Sequence, residues 1–134
     1  MSDIDQARSL LNMAEKDLAA LHAMCHLDTV ADEIFGFHAQ QVVEKALKAW
    51  LAALGVRYSF RHDLAELLHM LAQHGQDVEG YWDLSTYTDF AVRYRYEVLD
   101  TSEPPLERER LLAQVAELFK LVSQLVVDRS DHVI

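Results

Sequence analysis

The stretch FHAQQVVEKALKAWLAALG, residues 37–55, decides the fold. Its apolar residues fall on two stripes with the three- and four-residue spacing of an α-helix. Because a helix that is apolar on two sides packs against neighbours on more than one flank, we predict that it is central. We expect it to span about 29–54, with Thr29 as its N-terminal cap and Gly55 as its end. The stripes are Ile34, Phe37, Leu47, Leu51 and Leu54, and Ala39, Val42, Val43, Ala46 and Trp50.

A first helix is predicted over about 3–26, before the central one. Ser2 or Asp3 is a suitable cap, because short polar side chains accept hydrogen bonds from the first free amides of a helix. One apolar stripe follows this segment at helical spacing. Its members are Ile4, Ala7, Leu11, Ala14, Leu18, Leu21 and Cys25.

Two shorter segments follow the central helix. Asp63 is predicted to cap a short helix over about 63–74, which Gly75 ends. A fourth helix is predicted over about 81–96. It is rich in aromatic residues, namely Tyr81, Trp82, Tyr87, Phe90, Tyr94 and Tyr96.

The last helix is predicted over about 103–129, with Ser102 as its cap and prolines in its first turn. Its stripe is Leu112, Val115, Phe119, Val122 and Val126. Short links between amphipathic helices favour an all-α, antiparallel up-and-down helical bundle of four long helices plus a short one. We expect residues 1–134 to form a single domain.

The composition agrees with a helical domain. The chain has 134 residues, of which 51% are hydrophobic, with only four glycines and two prolines. A single cysteine, Cys25, excludes an internal disulfide and a four-cysteine zinc site. The acidic N-terminal sequence lacks the pattern of a signal peptide, and no run of about 20 apolar residues predicts a membrane span. We therefore expect a cytoplasmic location.

Positive charge is concentrated in two places of an acidic chain. The formal net charge is −10, yet residues 36–62 hold four basic residues against one acidic residue, a local net charge of +3. The second basic spot is Arg93 and Arg95. A basic site on an acidic body is compatible with binding of a nucleotide or a short RNA, and the alternative is an ordinary solvated face. The basic residues of 36–62 are Lys45, Lys48, Arg57 and Arg61.

Metal and cofactor sites have little support in the sequence. His22, Cys25 and His26 lie at helical spacing, but Cys25 falls on the apolar stripe and no fourth ligand is evident. No glycine-rich loop that cradles phosphate is present. We expect neither a metal nor a cofactor, and we expect Cys25 to be inert packing.

Arginine, histidine and tyrosine are the candidate functional residues. Cleavage of RNA without a metal needs a base near the 2′-hydroxyl and a cation near the phosphate. Tyrosine rings stack on bases, unless they only fill the core. The candidates for these roles are Arg57, Arg61, His62, Arg93, Arg95, Tyr87, Tyr94 and Tyr96.

Three strings in order, AQQVVEKALKAWLAALG, RHDLAELL and TDFAVRYRYE, resemble the HEPN domain family over about 35–97. The matching positions are Ala39, Glu44, Lys45, Ala46, Lys48, Gly55, His62, Leu64, Leu67, Phe90, Ala91, Val92, Arg95 and Tyr96. The resemblance implies a small helical bundle that binds nucleotide or RNA. It also implies a homodimer, and a minimal nucleotidyltransferase as partner in a toxin–antitoxin type pair.

Nuclease members of that family carry an arginine followed, after four to six residues, by a histidine near the start of the helix after the aromatic region. Neither Arg93 nor Arg95 has a histidine in that window, and Glu97 stands where many relatives have proline. The one formal match, Arg57 to His62, lies in the loop after the central helix. The sequence therefore resembles the branch that binds without cleaving.

Three hypotheses follow. The first is a non-catalytic module in which Lys45, Lys48, Arg93, Arg95 and His62 contact phosphate while Tyr94 or Tyr96 stacks on a base. The second is a metal-independent endoribonuclease toxin that uses either Arg57 and His62, or Arg95 with a histidine of the second subunit. The third is a purely structural interaction subunit, in which the two lysines form ion pairs with a partner. A further interpretation is that Glu44 and Lys48, four residues apart, only form an ion pair that supports the helix.

Overall fold

A computed structural model describes residues 2–58, 63–89 and 105–131 of the chain. Four α-helices and one 3₁₀ helix make up this part, and it contains no strand, so the predicted all-α class is confirmed. The elements are α1 (Asp3–Met24), α2 (Asp32–Ala53), α3 (Leu64–Gln73), the 3₁₀ helix (Glu79–Asp89) and α4 (Arg108–Asp131).

Contacts between helix ends define the topology. Gln6 near the start of α1 bonds Tyr58 just after α2, so α1 and α2 run antiparallel as predicted. Arg108 at the start of α4 bonds Asp32 at the start of α2, so these two helices run parallel. The end of α4 correspondingly lines a groove with Gly55 and the start of α1.

Helix α2 is central, as its two apolar stripes predicted. It contacts α1, α3, the 3₁₀ helix and α4. Of the predicted stripe residues, Ile34, Phe37 and Leu54 are only partly buried, and Phe35 is fully buried instead. The remaining members are buried, namely Ala39, Val42, Val43, Ala46, Leu47, Trp50 and Leu51.

Most helix ends lie where the sequence placed them. Ser2 caps α1 in a reciprocal pair with Asp5, whose pKa the hydrogen bonds from Ser2 hold below its ordinary value. Gly55 and Gly75 follow α2 and α3 with φ of 74° and 79°, the left-handed region that glycine adopts without strain. The predicted cap Thr29 is wrong, because α2 begins three residues later after Ala31 and has no side-chain cap.

The predicted fourth helix is also wrong in type where the structure describes it. Residues 79–89 form a 3₁₀ helix, and 90–96 lie outside the described residues. The Ser85 hydroxyl donates to the Trp82 carbonyl at 2.7 Å, and the Thr86 hydroxyl donates to the Asp83 carbonyl at 2.9 Å. Such local side-chain bonds compete with the α-helical pattern.

The last helix differs in its start and in two core positions. It begins at Arg108 instead of about 103, and the predicted cap Ser102 lies outside the described residues. Leu112 and Phe119 are only partly buried, because the buried face is turned by one residue at these two points. That face consists of Leu111, Val115, Leu118, Val122 and Val126.

Substitution Asp63→Ala should lower the free energy of unfolding by about 1 kcal/mol, the usual effect of losing an N-cap. The Asp63 carboxylate accepts hydrogen bonds from the amides of Ala65 at 3.0 Å and Glu66 at 3.3 Å, and alanine cannot replace it. Urea denaturation followed by circular dichroism measures the change. Asp63→Asn is the control, because asparagine caps about as well; an equal loss in both variants would show that capping is not the cause.

Candidate functional site: polar side chains along helix α2

One cluster joins α1 to α2 and is called here the Asp17 cluster, consisting of Asp17, His38 and Lys45. His38 and Lys45 are seven residues apart, so they lie on one face of α2. The Asp17 carboxylate accepts from Lys45 Nζ at 2.7 Å and lies 2.9 Å from His38 Nδ1. The Asp17 and Lys45 side chains are 15% and 17% exposed, so this ion pair is largely shielded from solvent.

A second set, called here the polar chain, lies inside α2 and consists of Gln41, Gln40, Glu44 and Lys48. Residues 40, 44 and 48 are each four apart and share one buried face. Gln41 Nε2 donates to Gln40 Oε1 at 2.6 Å, and Gln40 Nε2 donates to Glu44 Oε1 at 2.9 Å. Lys48 Nζ donates to Glu44 Oε2 at 3.3 Å, so the sequence reading of a Glu44–Lys48 pair is confirmed.

The polar chain is satisfied internally. In the described part of the chain, no buried side-chain nitrogen or oxygen lacks a hydrogen-bond partner. This matters because a buried charge or amide without a partner is destabilising. The Glu44–Lys48 pair is therefore a buried structural pair and not only a surface contact within a helix.

Tyr58 connects the polar chain to the loop that follows α2. The Lys48 ammonium lies 5.6 Å from the centre of the Tyr58 ring, a cation–π distance. Gln6 Nε2 donates to the Tyr58 hydroxyl at 2.8 Å. Burial raises the pKa of Tyr58, and the Gln6 hydrogen bond offsets part of that rise.

Arg57 differs from Lys45 and Lys48 in exposure and in pairing. Its side chain is exposed, and it forms no ion pair with any described residue. Lys45 and Lys48 are mostly buried and paired with Asp17 and Glu44. The local charge of +3 in the sequence is therefore partly neutralised in the fold, and Arg57 is the described cation of that region that faces solvent unpaired.

Of the other candidate residues, Tyr87 is described, and it is partly buried and packs against the core. The rest lie outside the described residues. They include His62, the residue that the nuclease hypothesis pairs with Arg57. These residues are Arg61, His62, Arg93, Tyr94, Arg95 and Tyr96.

Sequence reasoning found Glu44 as a partner of Lys48 but missed Asp17 as the partner of Lys45. Asp17 is 28 residues from Lys45, a separation at which no local pattern indicates contact. Gln40 did carry a signal, because it lies four residues before Glu44 on the face that also holds Lys48. A polar residue at each of three successive four-residue steps predicts a connected polar row.

The histidine–cysteine group of α1 does not come together as a site. Cys25 is buried on the apolar stripe, as predicted, and His26 lies 3.6 Å from Glu109 on the surface. Within residues 2–58, 63–89 and 105–131, no three His, Cys, Asp or Glu side chains lie close enough to hold a metal ion. None of the helices in the described ranges is long and apolar enough to cross a membrane.

Comparison with models of protein families matches residues 7–125 to the HEPN domain. This match spans nearly the whole chain and includes both the Asp17 cluster and the polar chain. The comparisons with curated proteins and with solved structures gave no match.

Proposed function

This chain belongs to the HEPN domain family, and we propose that it binds a nucleotide or RNA without cleaving it, beside a minimal nucleotidyltransferase in a toxin–antitoxin type pair. The observation that carries the proposal is the family match over residues 7–125, which makes the chain a nucleotide- or RNA-related module. The homodimer and the partner protein are part of the proposal as implications of the family.

Arg57 is the best supported phosphate contact among the described residues. Its guanidinium is exposed, has no ion-pair partner among the described residues, and belongs to the segment just beyond Gly55 that follows α2. Arginine presents several donors in a planar fork that suits phosphate oxygens. Arg57 also lines a surface depression with Tyr58, Gln6 and Val56, and Asp3 lies on the same lining. A ligand phosphate there would meet the Arg57 cation, while the Asp3 carboxylate would weaken its binding.

The two lysines have a different part in the proposal. Lys45 and Lys48 remain predicted phosphate contacts, but a phosphate would have to compete with the carboxylates of Asp17 and Glu44. Their ion pairs lie within the chain, so a partner protein is not needed to neutralise them. We therefore propose that each lysine contributes less to binding than Arg57 does.

The remaining contacts come from the sequence alone. Arg93, Arg95 and His62 are proposed to contact phosphate, and Tyr94 or Tyr96 is proposed to stack on a base. Among these residues, His62 is the closest to Arg57 in the sequence, and Arg57 lines the depression.

Substitution Arg57→Ala should weaken binding of ATP, GTP or a short single-stranded RNA by about tenfold, a typical loss for one charge-assisted phosphate contact of about 1.4 kcal/mol or more. Calorimetry with the nucleotides and fluorescence anisotropy with a labelled RNA measure the effect at fixed salt, since affinity falls as salt rises. Lys120→Ala is the matched control, because Lys120 is an exposed cation on α4 that forms no ion pair with a described residue.

The same titrations decide the alternatives. No binding of ATP, GTP or RNA at millimolar concentration contradicts the binding function. Equal losses in Arg57→Ala and Lys120→Ala contradict the placement of the site. Cleavage of the RNA during the titration, abolished by His62→Ala, would support the endoribonuclease instead.

A further inference from the structure

A cleft on another face of the bundle combines aromatic rings with negative charge. It lies between the end of α2, the turn before the 3₁₀ helix, and α4, and its volume of about 500 Å³ is within the range of ligand pockets. Trp50 and Tyr81 contribute rings, and Asp77 and Glu117 contribute carboxylates. We call it the acidic cleft.

The two rings differ in exposure, because Tyr81 is partly exposed and Trp50 is buried, so a ligand would stack on Tyr81. Trp50 is 4% exposed, and its indole N–H donates to Gln76 Oε1 at 3.1 Å. The ring donor is therefore already used inside the protein. Leu121 and Leu125 add apolar lining, and Leu121 is 37% exposed.

The charges of the acidic cleft are not balanced inside the chain. No lysine, arginine or histidine of the described residues lines it. Neither Asp77 nor Glu117 forms an ion pair with a described residue, and both lie exposed at the rim. Burial raises the pKa of Tyr81, and the negative charges of Glu117 and Asp77 raise it further, which reports a negative potential at the ring.

We propose that the acidic cleft binds the arginine side chain of a basic segment on a partner protein. A guanidinium is planar and weakly hydrated, so it stacks on aromatic rings while it donates to carboxylates. The net charge of −10 would also steer a basic partner toward the chain. The same carboxylates repel phosphate, so the acidic cleft is unsuited to the nucleotide or RNA of the proposed function and does not depend on it.

A pair of peptides tests the charge requirement. One nine-residue peptide carries a single central arginine in a neutral sequence, and the other carries citrulline, its neutral isostere, in that place. Fluorescence anisotropy of the labelled peptides should show the arginine peptide binding about tenfold more tightly than the citrulline peptide. Equal binding of both peptides, or no binding of either at millimolar concentration, overturns the proposal.

Variants of the chain test the location. Glu117→Gln should weaken binding of the arginine peptide about threefold, since rim carboxylates each contribute modestly. The double variant Asp77→Asn, Glu117→Gln should bind the arginine peptide as weakly as the native chain binds the citrulline peptide. Glu109→Gln is the matched control, because Glu109 lies on the same helix, outside the acidic cleft, and is 79% exposed. An equal loss in Glu109→Gln would show that the net charge alone attracts the peptide.

A second copy of the chain is the competing occupant. Sedimentation of the full chain distinguishes it, because a dimer that Glu117→Gln dissociates and Glu109→Gln leaves intact would assign the acidic cleft to self-association. That result would overturn the assignment to a partner protein. A mass unchanged by both variants, together with selective loss of the arginine peptide, is the expected outcome.

Discussion

Substitution Glu44→Ala should lower the free energy of unfolding by about 3–5 kcal/mol, the usual result of removing one partner of a buried ion pair. The Glu44 and Lys48 side chains are 6% and 11% exposed, so the remaining ammonium would stay in the interior without its counter-charge. Gln40 Nε2 would also lose its acceptor. Chemical denaturation measures the loss, with Glu109→Ala as the control that should change stability by less than about 0.5 kcal/mol.

Replacing both charged partners should have a smaller effect. The double variant Glu44→Leu, Lys48→Met is expected to lose about 1–3 kcal/mol, because apolar residues of similar volume need no desolvation of charge and the remaining loss comes from the Gln40 amide without its acceptor. The single variants Glu44→Leu and Lys48→Met, taken with this double variant, form a thermodynamic cycle that isolates the coupling of the pair. A loss for Glu44→Ala as small as that for Glu109→Ala would contradict the description of the pair as buried.

The polar chain also links the core to the proposed binding surface. Lys48 bonds Glu44 and lies over the Tyr58 ring, and Tyr58 lines the same depression as Arg57. If Lys48 is held in place by Glu44, removal of Glu44 frees the ammonium and alters the packing under Tyr58. A binding defect in a folded Glu44 variant would thus arise from positioning and not from a direct ligand contact.

The sequence predicted those parts of the fold that depend on residues close to one another in the chain. The central position of α2 follows from apolar positions within a single segment. The cap at Asp63 and the ends at Gly55 and Gly75 follow from one residue each. The 3₁₀ helix was missed because the prediction relied on the aromatic and apolar residues of the segment. It did not consider the hydrogen bonds that the Ser85 and Thr86 hydroxyls donate to the backbone.

The candidate site was predicted by residue type but not by geometry. Lys45 and Lys48 stand out as cations in an apolar helix, yet whether they face a ligand or a carboxylate depends on where α1 packs. Asp17 settles this for Lys45 from 28 residues away. Burial then changes the effect of a substitution. A Glu–Lys pair on an exposed helix face contributes about 0.3–0.5 kcal/mol, whereas removing one partner of a buried pair leaves a desolvated charge and costs more.

The start of α2 was misplaced for the same reason. Thr29 is a good cap by type, but Arg108, nearly 80 residues later, holds the link between α1 and α2 in another conformation. Its guanidinium donates to the carbonyls of Met24, Leu27 and Val30 at 3.2, 3.1 and 2.5 Å. Met24 is the last residue of α1, and Leu27 and Val30 lie in the link, so one distant arginine binds carbonyls along the whole link before α2.

Substitution Arg108→Ala should lower the free energy of unfolding by about 3 kcal/mol, since it removes several charge-assisted hydrogen bonds at once. Arg108 Nε donates to Asp32 Oδ1 at 3.0 Å, and its ion pair with Asp32 is 2.9 Å long. The Arg108 and Asp32 side chains are 16% and 28% exposed, so the Asp32 carboxylate would lose its counter-charge, keep the hydrogen bond from the Leu106 amide at 3.0 Å, and be only partly solvated. The Arg108 guanidinium also lies 5.3 Å from the Phe35 ring centre.

Arg108→Lys should recover only part of the loss, because one ammonium cannot reach Asp32 and three carbonyls together. Arg110→Ala is the control, as Arg110 is 71% exposed and, among the described residues, pairs only with Glu107 at 3.4 Å. Hydrogen exchange should show the largest loss of protection at residues 24–35, where the carbonyls and Asp32 lose their common partner. Equal stability of Arg108→Ala and Arg110→Ala, or a loss of protection spread evenly over the chain, would contradict the assignment of Arg108 as the tie between α1, α2 and α4.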